Sequence, residues 1–241
     1  MNARHLFLAI ILLFPAESQA DQTDLLFPYE WLGNIDKFDF NEPSSIVFHE
    51  SRGTLFLVGD AGDLCEIKTD GTLIKQNHLR DADLEGITYN PATNLLYLAV
   101  EGEERILEVD PDSFTILREF TVPREVKGKV MLKAGGQGIE AITFIPKAGH
   151  RHGGTFFVAN QSFDLTDKED VSGLFEIEIP LNSKTDTVAR HIRQILPKIP
   201  DISGLNYSPL SKSILLISDG TNSFFRIQPD RRDTGRPCVS G

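Results

Sequence analysis

Glu85 and Glu140 each interrupt an apolar run, one residue ahead of a small residue. Leu84-Glu85-Gly86-Ile87-Thr88-Tyr89 and Ile139-Glu140-Ala141-Ile142-Thr143-Phe144 are one phrase with the acid in one place. Ser45 before Ile46 and Ser203 before Gly204 read as the same place in two further copies. A second polar set, Asp60, Glu101, Asn160 and Asp219, ends the apolar run that follows each phrase. Acids beside an apolar core are costly without a partner. Several carboxylates that converge repel one another unless protons or a cation intervene. Oxygen donors alone, from carboxylate, amide and backbone carbonyl, suit calcium, and no His/Cys spacing suits zinc. The candidate metal ligands are therefore Glu85, Glu140, Asn160, Asp219, Glu101 and Asp60, with Glu85 and Glu140 foremost. The competing use of such acids is to cap local turns or pair with a nearby Arg.

The surrounding chain says how these residues are held. Asn90-Pro91-Ala92-Thr93-Asn94 is turn chemistry, in which Pro presets one dihedral and Asn tolerates left-handed geometry. Residues 95–100 then form a continuous apolar run, too short for a helix and ending in an acid. The same strand, turn and strand recur four times, with a third strand expected at 64–68, 105–109, 174–179 and 224–228. An all-strand repeat of this kind reads as propeller blades. The residue after the polar one is Ile46, Gly86, Ala141 or Gly204, and small residues there fit strands that crowd an axis. The turn reverses the chain, so both polar sets should gather at one mouth of a central channel. Units start at uneven intervals (46, 86, 141, 204), and no WD-type signature is present. The expected fold class is all-β, a β-propeller with about four readable blade units and an incomplete C-terminal end.

Residues 1–20 read as a secretory signal peptide: Arg4 and His5, an apolar stretch at 6–14, then Ser18-Gln19-Ala20 before Asp21. That stretch is shorter than the about 20 residues a bilayer span needs. A periplasmic or secreted location follows. The propeller domain is expected over 21–228, with a lead-in strand at 31–35, and a disordered charged tail over 229–241. A net charge of −11 without a basic stripe argues against nucleic acid. It argues equally against electrostatic docking on anionic lipid. The two cysteines, Cys65 and Cys238, make no disulfide framework, and Cys65 reads as a buried small hydrophobe.

Other signals are thin. His150-Arg151-His152 reads as a solvated loop tip. No Gly-x-Ser-x-Gly elbow supports a serine hydrolase. Asp164 through Asp170 is acidic but lacks EF-hand spacing, so a solvated turn is expected. Gly135-Gly136-Gln137-Gly138 gives the backbone room before the third inner strand.

Asp83-Leu-Glu-Gly-Ile-Thr-Tyr89, Gly138-Ile-Glu-Ala-Ile-Thr-Phe144, Gly173-Leu-Phe-Glu-Ile177 and Asp201-Ile-Ser-Gly-Leu-Asn-Tyr207, with the Ser44-Ser45 start, resemble the SdiA-regulated family of bacterial β-propellers. That family is distantly similar to phytase-like, esterase-like and calcium-dependent lactonase propellers. The resemblance implies five or six blades, a secreted or envelope-associated protein and a calcium ion near Glu85 and Glu140; a monomer is expected. A further Glu-Gly-Ile phrase expected after the fourth unit is missing. Three functional readings stand at this point. One is a calcium-holding module that binds a small molecule or protein at the channel mouth. Another is a calcium-dependent hydrolase of phosphoesters or lactones. The third is a ligand-free scaffold. A phosphate substrate would call for basic residues beside the acids, with Lys127, Lys129 and Lys133, or Arg190, Arg193 and Lys198, as the sources.

Overall fold

The computed structural model describes residues 35, 39–40, 42–132, 138–163 and 170–229, and among these described residues there are seventeen strands and no α-helix. The expected signal peptide, most of the lead-in strand, Lys133, positions 164–169 and the tail from residue 230 on, with Cys238, lie outside the described residues.

The first blade is β1 (Pro43–His49), β2 (Thr54–Gly59), β3 (Asp63–Lys68) and β4 (Leu73–His78). The second is β5 (Leu84–Tyr89), β6 (Leu96–Val100), β7 (Arg105–Val109) and β8 (Ile116–Thr121). A two-stranded flap, β9 (Glu125–Val126) and β10 (Lys129–Val130), leads on. The third blade is β11 (Ile139–Pro146), β12 (Gly154–Asn160), β13 (Leu174–Glu178) and β14 (Arg190–Ile195). The fourth has β15 (Ile202–Ser208), β16 (Ser213–Ser218) and β17 (Ser223–Ile227). Each blade is an antiparallel meander in chain order, and the inner strands lie side by side, β1 by β5, β5 by β11 and β11 by β15. This is a propeller arrangement of four blades.

Apolar side chains of neighbouring blades interlock face to face. Val47, Phe56 and Val58 meet Leu84, Leu98 and Leu107 between the first two blades. Tyr97 and Ile106 meet Phe144, Phe156 and Phe175 between the next two. Phe157 and Leu174 meet Ile202, Ile214 and Leu216 in the last pair. Phe40 caps the outer face of the first blade over Leu57, Ile67 and Cys65, which is buried as the sequence suggests. The far face of the fourth blade carries Ile217 at 37% and Phe224 at 49% exposure.

The repeated phrase has a structural reason. Thr88 Oγ1 accepts the Phe144 N–H at 3.1 Å, and Thr143 Oγ1 accepts the Tyr207 N–H at 2.9 Å. The Thr of each phrase thus ties its inner strand to the next. Small residues let those strands approach. A Cβ on Gly86 would lie 2.9 Å from Ile142 N and 3.2 Å from Ala141 C. Gly86→Ala is expected to cost about 1–3 kcal/mol of stability through overpacking. An unchanged Tm would show that β5 and β11 part freely.

Every inner strand also bulges at one position. Pairing jumps from Pro43↔Gly59 to Ser45↔Val58, and from Leu84↔Val100 to Gly86↔Ala99. It jumps likewise from Ile139↔Asn160 to Ala141↔Ala159, and from Ile202↔Ser218 to Gly204↔Ile217. The extra residues are Ser44, Glu85, Glu140 and Ser203. The sequence alignment was one residue off in the first blade: Ser44 is the polar member, and Ser45 is the small one. All four small positions, Ser45, Gly86, Ala141 and Gly204, therefore hold small residues. Two adjacent serines hid the shift, because a bulge breaks the two-residue period that normally fixes register.

Candidate functional site

The bulge re-aims each polar side chain away from the ladder at the start of its inner strand. The second polar set meets it there. The N–H groups of Asp60, Glu101 and Asp219 bond to the carbonyls of Glu42, Asp83 and Asp201 at 3.2, 2.9 and 3.0 Å. The first, second and fourth blades thus each bring a bulge residue close to the residue that follows the second strand.

In the first and fourth blades that neighbour is satisfied. Ser44 Oγ donates to Asp60 Oδ1, and Ser203 Oγ donates to Asp219 Oδ1 at 3.0 Å. In the second blade both members are acids, Glu85 and Glu101. Glu140, at 7% exposure, joins them from the third blade. Glu85, Glu101 and Glu140 can place carboxylate oxygens within 4.8 Å of one another, and so can Asp60, Asp83 and Glu85. Five carboxylates from three blades therefore share Glu85 as their hub.

The electrostatics follow from the crowding. Two unit charges at such a separation repel by about 3 kcal/mol at an effective dielectric near 20. Burial, then the charges of Glu140, Asp60, Asp83 and Glu101, push the Glu85 carboxyl up from its usual 4.5 to about 9. Burial also raises Asp83, with Asp60 adding to it. Burial raises Glu101 too, although the Gly138 N–H donates to its Oε1 at 3.1 Å and works the other way. Asp83 Oδ1 is buried with no hydrogen-bond partner.

Of the six residues expected as ligands, Asp60, Glu85, Glu101 and Glu140 are brought together. Asp219 sits with Ser203 in the fourth blade. Asn160 pairs with Ile139, as Val100 pairs with Leu84, so Gln161 occupies the register of Asp60 and Glu101. The Asn160 amide is fully buried and engaged, donating to Ser162 O at 2.9 Å and accepting from Gly173 N–H at 2.6 Å. Asp83 was not among the expected ligands. Its signal was an acid two residues ahead of the bulge, shared by Glu42, Asp83 and Asp201.

The basic residues are engaged elsewhere. Arg193 Nε bonds to Glu176 at 2.5 Å, and Arg190 to Glu178 at 3.2 Å, both on the outer strand of the third blade. Lys129 donates to Gln194 at 2.8 Å, while Lys127 and Lys198 hold turn positions with φ of 52° and 60°. His150 is not a free loop tip: its Nε2 lies 3.0 Å from Glu178 Oε2, and His152 Nδ1 accepts the Asn182 N–H at 3.2 Å.

The donor set fits a hard divalent cation. Calcium takes about 6–8 oxygen ligands, and the five carboxylates around Glu85 offer oxygens only. The orphaned Asp83 oxygen and the upward shift of Glu85 are strains that a cation would relieve.

Hydrazine synthase of Kuenenia stuttgartiensis superposes with a TM-score of 0.47 at 16% identity, over 78% of this chain and 47% of that one. A chain of the mitotic checkpoint complex gives 0.47 at 9% identity, over 77% and 49%. The RRP9 WD40 repeats give 0.43 at 9%, over 77% and 51%. The chain spans about half the length of these solved chains. No protein of curated function matches the sequence. The family described as phytase-like, "esterase-like activity of phytase", matches residues 39–187, which is more than half of the sequence and takes in all five clustered acids. The chain belongs to this phytase-like family.

Proposed function

We propose that this propeller holds calcium at the mouth of its channel and receives a ligand there through the ion's remaining coordination positions. The observation that carries the proposal is the convergence of Asp60, Asp83, Glu85, Glu101 and Glu140. Glu85, Glu101 and Glu140 would hold the ion, with Asp60 and Asp83 on the other side of Glu85. Membership of the phytase-like family favours a second reading, hydrolysis of an ester at that site. When bound, calcium would polarise a carbonyl or phosphoryl oxygen and lower the pKa of a coordinated water. The chain's own residues would fix the ion and, through the dense negative charge around it, favour a weakly charged ester. Export by the 1–20 leader and the envelope role of the SdiA-regulated type belong to the same proposal.

Adding calcium to metal-stripped protein is expected to raise Tm, by the equivalent of about 2.7 kcal/mol at a hundredfold excess over Kd. No shift would overturn the site. Aryl esters, lactones and phytate are then assayed with and without chelator. Calcium-dependent turnover supports the hydrolase, and a calcium-loaded but inert protein leaves the binding module.

A further inference from the structure

Glu104 lies just outside the five-carboxylate group, yet it is 1% exposed. Its φ is 47°, a left-handed conformation that costs a non-glycine residue about 1–2 kcal/mol. Its backbone carbonyl accepts the Val122 N–H at 2.8 Å, and its carboxylate pairs with Arg124. The Arg124 guanidinium also donates to Gly102 O, inside the same turn. The Arg124 carbonyl accepts the N–H groups of Met131 and Leu132 at 2.7 and 3.2 Å. One arginine thus ties the 101–104 turn to the segment that leads towards Gly138.

Gly138 closes the loop of contacts. Its N–H holds Glu101 Oε1, and a Cβ there would run into Glu104 Oε1 and come within 3.0 Å of Glu101 Cγ. The Gly138 backbone is therefore lodged between the two carboxylates.

We infer that the Glu104–Arg124 pair is the positioning device for Glu101: it locks the 101–104 turn against Gly138 and so presents Glu101 to Glu85 and Glu140. This rests on the calcium reading above. Glu104 touches no ion itself; it acts through Glu101, as outer-shell partners of metal ligands do.

The test uses Glu104→Gln and Arg124→Lys, with calcium titration, Tm and the luminescence lifetime of bound europium, which counts water molecules on the ion. Calcium Kd is expected to weaken about 10- to 100-fold in Glu104→Gln, as for other outer-shell losses. Europium should gain one water as Glu101 turns away. Arg124→Lys, which keeps the charge but replaces the guanidinium that reaches both Glu104 and Gly102 O, should fall between it and the parent. A lower Tm with unchanged Kd and unchanged hydration would overturn the inference and leave Glu104 a purely structural acid. If the parent protein binds neither ion, the calcium reading itself falls and takes this inference with it.

Discussion

Glu85→Gln is expected to raise the calcium Kd by more than about 100-fold, since calcium affinity tracks the number of charged ligands, and to leave the metal-free protein at least as stable as the parent. Both outcomes come from one position. Glu85 is the only acid common to the two carboxylate groups. It is also the one whose ionisation in the metal-free state is opposed by burial and four like charges. Gln keeps the shape and removes the charge. The pH dependence gives a second readout. The folded, metal-free protein holds the Glu85 proton up to about pH 9, whereas the unfolded chain releases it near 4.5. Across that window the folded state binds more protons, so stability is fullest below the lower value and falls as pH rises towards the upper one. Glu85→Gln should flatten that decline, and calcium should counter it in the parent. A variant that binds calcium as the parent does would remove Glu85 from the site.

The largest loss of stability is expected from Glu176→Ala, about 3–5 kcal/mol, the cost of leaving buried charges without their partner. Glu176 is 2% exposed. It accepts from Thr155 Oγ1 at 2.8 Å and Arg193 Nε at 2.5 Å, and pairs with Lys147. Burial pushes its carboxyl up, but the hydrogen bonds from Lys147, Arg193 and Thr155 outweigh it and hold the carboxyl below its usual range. Its contribution is present above the usual carboxylate pKa and is lost as pH falls through the lowered one. For a domain of this size the change should lower Tm by roughly 10 °C. Replacing Lys147 and Arg193 by Met together with Glu176→Leu should recover much of the loss, because a packed apolar cluster substitutes well for a buried ion network. A triple variant as unstable as the single one would place the damage in packing rather than in unpaired charge.

Glu176 belongs to a device repeated along the chain. Glu66, Glu108 and Glu176 occupy one register of the third strands, opposite Lys75, Arg118 and Arg193 on the fourth strands. Thr54, Tyr97 and Thr155 donate to them at 2.6, 2.8 and 2.8 Å. In the fourth blade Arg226 takes the acid's place. The pattern stood in the sequence as Cys65-Glu-Ile67, Leu107-Glu-Val109 and Phe175-Glu-Ile177. An acid within an apolar run looks alike in a third strand and in an inner one, and only strand pairing tells the two apart.

The blades themselves were legible. Short apolar runs separated by Pro, Asn and Gly turns mark strands whatever the packing, and the expected third strands match β3, β7, β13 and β17 within a residue or so. Outer strands were harder: β4, β8 and β14 mix exposed polar and half-buried residues, so they lack an apolar signature. The site was half legible. Glu85 and Glu140 stood out because charge among apolar neighbours is rare. Asn160 and Gln161 could not be ordered, since the bulge at Glu140 shifts the register by one and leaves no trace in composition. Asp83 opens the repeated phrase, where nothing in its immediate neighbours marks it as a ligand. Its role depends on Asp60, which another blade supplies.

A crystal structure of the protein grown with calcium near neutral pH tests the central claim most directly. The expected result is a peak about 2.3–2.6 Å from carboxylate oxygens of Glu85, Glu101 and Glu140. The contradicting result is those three carboxyls sharing protons and water among themselves, with calcium in the crystal and none between them.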